Sequence, residues 1–160
     1  MPLANLLLLL AAGVDLSGTW KMDASRSESA HQAVPIGTVV LVVKQTSTRI
    51  TIESRRTEPG KTEVQSEVLP FLLDGGETTT TILDSPVKTK AHWDGTKLIT
   101  ETERTVNGAS VTTRNVLTLD ANGKELKVER MLTVQHGYQS EVKESKSYGT
   151  GTDIFVKSAK

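Results

Sequence analysis

Short-range turn signals recur along this chain at near-regular intervals, and runs rich in Thr and Val lie between them. In order they are Ser47-Thr48, Pro59-Gly60, Gly75-Gly76, Asp84-Ser85-Pro86, Asp94-Gly95, Asn107-Gly108, Asn122-Gly123, His136-Gly137 and Gly149-Thr150-Gly151. Asn-Gly and Asp-Gly tolerate the positive φ of tight hairpins, and β-branched residues suit a pleated surface. The pattern predicts a meander of antiparallel strands over residues 18–23, 38–46, 49–57, 61–72, 77–83, 87–93, 97–106, 109–120, 124–135 and 152–158. Residues 137–148 are polar and favour a further strand, with a helix as the lesser option. Residues 24–37 are polar and broken by Pro35 and Gly37, which predicts a long connection across a barrel end.

Alternation within the runs selects the architecture. Ile50 and Ile52 share one phase against Thr51, Glu53 and Arg55, while Leu126, Val128, Leu132 and Val134 oppose Lys127, Glu129 and Thr133. Strands with one wet face belong to antiparallel sheets. Hairpin-linked strands expose two sheet edges unless the sheet closes on itself. The expectation is all-β: a single antiparallel up-and-down β-barrel of about 8–10 strands, forming one domain over 14–160.

Residues 1–13 stand apart, because Leu6 to Leu10 are followed by Ala11-Ala12-Gly13. An apolar run closed by small residues has the pattern of a secretory signal, although no Lys or Arg precedes it. It is far shorter than the roughly 20 apolar residues that span a bilayer. Two readings stand: a signal-peptide remnant, with export to the periplasm or the extracellular space, or an apolar helix that plugs a barrel end.

Gly18-Thr19-Trp20 opening the first strand, followed by Lys21 and Asp23-x-Ser25-x-Ser27, resembles the start of lipocalin-like and fatty-acid-binding-like barrels. The stretch is also similar to that of small exported bacterial proteins of lipocalin-like type. The resemblance implies a barrel that holds a small ligand, with Trp20 packed across its base. It does not extend to the Arg-x-Tyr pair that ends fatty-acid-binding barrels, which 152–158 lacks, so their carboxylate site is not carried over.

Nineteen basic and nineteen acidic side chains cancel, which argues against nucleic acid as a partner. Cysteine is absent, and with it disulfides and thiol chemistry. His31, His92 and His136 lack metal-ligand spacing, so neither metal nor cofactor is expected. Ser140-x-x-Lys143, the Glu101 and Glu103 pair and the Gly149-Thr150-Gly151 stretch lack the context of a catalytic or phosphate site, and the threonines 78–81 read as β propensity on an exposed arm.

Polar residues on apolar strand phases are the sharpest anomaly. Arg56 continues the phase of Ile50 and Ile52, Arg104 that of Leu98 and Val106, and Arg130 that of Val128 and Leu132. Thr113 and Asn115 accompany Val111 and Leu117, and Trp93 follows Val87 and Ala91. Buried charge costs several kcal/mol unless it is paired or solvated. A wet cavity would answer this, with arginines on an anionic headgroup, Leu and Val on an apolar tail, and Arg130 the leading candidate. A register shift at a bulge, a strand-end Arg that snorkels to water, or internal pairing with Glu is the stronger answer on structural grounds. Three functions follow: a binder of a small apolar or amphipathic ligand, an envelope interaction protein with a filled barrel, and an enzyme whose site only the folded chain would assemble. Cavity size separates the first two.

Overall fold

The computed structural model describes residues 13–34, 36–136 and 146–159. Ten antiparallel strands follow one another: β1 (Gly18–Met22), β2 (Thr38–Gln45), β3 (Arg49–Thr57), β4 (Val64–Leu72), β5 (Thr78–Ile82), β6 (Ser85–Asp94), β7 (Lys97–Val106), β8 (Ala109–Leu119), β9 (Glu125–Gln135) and β10 (Lys146–Lys157). Neighbours in the chain are neighbours in the sheet, except that β1 joins β10 and no ladder joins β4 to β5. The sheet therefore rolls into a nearly closed barrel with a seam between β4 and β5. The expected joining of first and last strands is present, and the two unpaired edges lie at the seam.

Pro70 explains part of that seam. It has no N–H to donate, which confines proline to sheet edges, and its carbonyl instead accepts the Thr89 hydroxyl of β6. The following turn also passes β5 to reach β6, where Gly75 N donates to Ala91 O at 3.0 Å.

Apolar side chains fill one end. Leu16, Trp20, Ile50, Leu98 and Leu126 are wholly buried there, and Phe71 and Leu117 pack with them. Residues 13–17 run across this base. Gln45 holds them, its Oε1 accepting Leu16 N and its Nε2 donating to Val14 O, each at 2.9 Å. Trp20 Nε1 donates to Leu16 O at 3.0 Å, so the buried indole is satisfied as it fills the base. The apolar run Leu6 to Leu10 lies outside the described residues.

The connection from β1 to β2 lies across the opposite end and contains two short 3₁₀ helices, Ala24–Arg26 and Glu28–His31. Asp23 starts the first, accepting Ser25 N at 3.0 Å and Ser25 Oγ at 2.6 Å. Those bonds, with a further one from Arg26, hold its carboxyl below the usual carboxylate range. Arg26 also reaches Glu125 at 2.6 Å, and these two carboxylates raise its pKa further.

Two turn expectations are corrected. Gly149-Thr150-Gly151 lies inside β10, which begins at Lys146 rather than 152. Glycine within a strand marks a close approach, and a Cβ on Gly151 would stand 3.1 Å from Arg130 Nη2. The turn expected at Asp84-Ser85-Pro86 is instead Leu83-Asp84, because Ile82 pairs with Ser85. Both of its residues have positive φ, 49° and 63°. Of 137–148, residues 146–148 are strand but belong to β10 and form no separate one; residues 137–145, with Gly137 and Ser140-x-x-Lys143, lie outside the described residues.

Leu83 thus holds a left-handed conformation while 95% exposed, with no packing to offset the steric cost. Leu83→Asn should stabilise the protein by about 1 kcal/mol, because that backbone state costs a β-carbon-bearing residue roughly 1–2 kcal/mol and Asn tolerates it. Urea unfolding would show a raised midpoint; an unchanged or lowered one would refute the strain.

Candidate functional site

The base core stops part-way up the barrel, and above it lies a cavity of about 510 Å³. Met22, Val39, Leu41, Ile52, Leu69 and Phe71 give it an apolar wall on β1–β4. Thr100, Thr102, Arg104, Thr113, Asn115 and Arg130 line it from β7–β9. Ser54, Arg56 and Glu67 stand at its rim and also line the larger groove over the β4–β5 seam.

Five of the six side chains singled out from sequence are brought together here: Arg56, Arg104, Arg130, Thr113 and Asn115. Trp93 is not among them. It is part-buried against the base core, where a Cβ on Gly13 would overlap its ring. Its phase is shared with Ala91, but β6 places it below the cavity floor, so it packs and has no wall position.

The three arginines differ in their partners. Arg130 Nη1 lies 3.3 Å from Asp153 Oδ2 and its Nη2 donates to Ser29 Oγ at 2.8 Å. Asp153 is 3% exposed and also accepts Ser29 N at 2.9 Å and Ser29 Oγ at 2.6 Å. Ser27 adds a reciprocal pair, its Oγ accepting Ile154 N at 2.9 Å and donating to Ile154 O at 3.2 Å. Arg130 is therefore one member of a latch that ties the 3₁₀ segment to β10. Arg104 reaches from β7 to Glu67 of β4, at 2.6 Å. Arg56 is exposed and makes one long bond of 3.4 Å to Gln65 Oε1; among the described residues no carboxylate pairs with it. The cation most available to a ligand is thus Arg56, while Arg130, the leading sequence candidate, is already engaged.

Sequence reasoning missed Glu67, Asp153 and Ser29. The first two carry the same signal that exposed the arginines. Glu67 shares a phase with Leu69 and Phe71, and Asp153 shares one with Phe155. Applied to carboxylates, the rule would have found both counter-charges. Glu101 faces outward and pairs with Lys90 at 3.1 Å, and no group of three or more His, Asp or Glu side chains able to hold a metal occurs among the described residues.

Removing Arg130 leaves Asp153 buried without its cation, whereas Arg56 is exposed and the carboxylate it influences, Glu58, keeps Lys61 as its ion-pair partner. Arg130→Ala should cost about 3 kcal/mol and Arg56→Ala less than about 0.5 kcal/mol. Equal costs in denaturant unfolding would show that the latch carries no stability.

No protein-family model matches the chain, and no curated protein matches it. Solved structures do share the fold. One is a secretory abundant heat soluble protein from Ramazzottius varieornatus, 13% identical, covering 92% of this chain and 98% of that one with a TM-score of 0.54. Another is secretory abundant heat soluble protein 4 from the same organism, 15% identical, covering 91% and 96% with a TM-score of 0.53. At such identity the likeness is one of fold alone.

Proposed function

We propose that this chain is a non-catalytic binder that holds a small amphipathic molecule inside its barrel. The observation that carries the reading is the cavity itself: about 510 Å³ left between an apolar wall and a mixed one, in which Thr, Asn and Arg stand among Leu117, Val128 and Leu132. That volume falls within the range of small-molecule sites. It weighs against the alternative of a filled barrel serving only as an interaction surface.

Charge refines the reading. Asp153 offsets Arg130 and Glu67 offsets Arg104, which leaves Arg56 at the rim for an anionic group. The apolar wall then takes the hydrocarbon part. Export, read from the first thirteen residues, belongs to the same proposal: a carrier or store acting outside the cytoplasm.

Fluorescence titration with 1-anilinonaphthalene-8-sulfonate tests it, with uncharged N-phenyl-1-naphthylamine as comparison. Both dyes should bind. Arg56→Ala should weaken the sulfonate about tenfold, or about 1.4 kcal/mol, and leave the neutral dye unchanged. Failure of both dyes to bind the native protein would remove the proposal. Equal weakening of the two would remove the role of Arg56.

A further inference from the structure

We infer that the molecule this cavity accepts is polar along one face rather than at one end: a rigid, ring-fused amphiphile with hydroxyl groups on one face, one of them donating to Asn115 Oδ1. The inference rests on the binding reading above and narrows the ligand class.

The strand registers place the polar side chains. Arg130 pairs with Asn115 and Asn115 with Thr100, so these three stand side by side across β9, β8 and β7. In the adjacent row Thr113 pairs with Thr102; Leu132 of β9 flanks Thr113, and Thr89 of β6, its hydroxyl taken by Pro70, lies beyond Thr102. The result is a belt two rows deep at mid-height, not a cluster at one end. Below it Val128, Leu117 and Leu98 form an apolar row. Across the lumen, the strand order sets β2 and β3 opposite β7 and β8, where Val39, Leu41 and Ile52 stand, with Ser54 beside Leu41 and Arg56 beside Val39 towards the rim.

Asn115 supplies a second, independent observation. Its Oδ1 is buried, and no donor among the described residues reaches it. A buried acceptor left unpaired costs about 1–3 kcal/mol. A straight-chain amphiphile would lay methylenes against Asn115, Thr113 and Thr102 and return no hydrogen bond. A fused-ring molecule with hydroxyls on one face satisfies the belt while its hydrocarbon face meets the β1–β4 wall.

Calorimetric titration with deoxycholate and with laurate, both below their micelle concentrations, tests this. Each carries one carboxylate, so the contribution of Arg56 is common to both. Deoxycholate should bind about tenfold tighter. Asn115→Leu should weaken deoxycholate about tenfold and leave laurate unchanged or tighter, and Thr113→Val should move both ligands in the same directions by less. Thermal melting checks that the variants fold; should Asn115→Leu fail to, Thr113→Val carries the comparison. Laurate binding as tightly as deoxycholate, or both ligands weakened alike, would overturn the inference. Laurate bound without deoxycholate would overturn it while sparing the binding reading, and neither bound would overturn both.

Discussion

Strand β1 is five residues long, and the whole enclosure hangs on it. It pairs with β2 on one side and β10 on the other, joining a four-strand half to a six-strand half. With no ladder at the seam, this short strand carries the only backbone ladders that join β2–β4 to β5–β10 among the described residues. Trp20 lies at its centre, wholly buried, its N–H bonded to the chain that crosses the base and the Lys157 ammonium 5.4 Å from its ring. Closing a sheet through so few residues requires that the burial around them be dense, and the apolar side chains are concentrated at that end.

That concentration has a counterpart above. Above the base, Thr, Asn and Arg share the mid-height positions with Leu, Ile and Val, and the interior there does not close up. Polar groups inside a barrel need partners, and here they obtain them in two ways. Carboxylates of β4 and β10 neutralise two arginines, and a serine of the 3₁₀ segment completes one of those pairs. The charges that keep the lumen open to polar contacts thus also bind its covering segment to the wall.

The meander was legible because hairpin chemistry is local. Asn107-Gly108 adopts the positive φ its residues favour, 50° and 80°, and the turn falls where the dipeptide stands. Leu83-Asp84 escaped because Leu carries no such signal; the flanking register imposed its conformation. Gly149 and Gly151 misled for the opposite reason, since they resemble a turn yet lie within a strand, where Gly151 leaves room for the Arg130 side chain. The arginines could be placed inward from their phase, but their partners could not. Arg130 and Asp153 are 23 residues apart and Arg104 and Glu67 are 37 apart, and only the closed sheet decides which charges meet.

The seam gives this barrel an uneven mechanical character. Elsewhere, widening the lumen means breaking a ladder of backbone bonds. Between β4 and β5 there is no ladder to break, and among the described residues the side-chain hydrogen bonds from β4 across to the far wall are the Thr89 hydroxyl on Pro70 and the Arg104 guanidinium on Glu67. A wall hinged in this way can part along one line and reseat, so a guest could come and go sideways while the latched cover over the mouth stays shut.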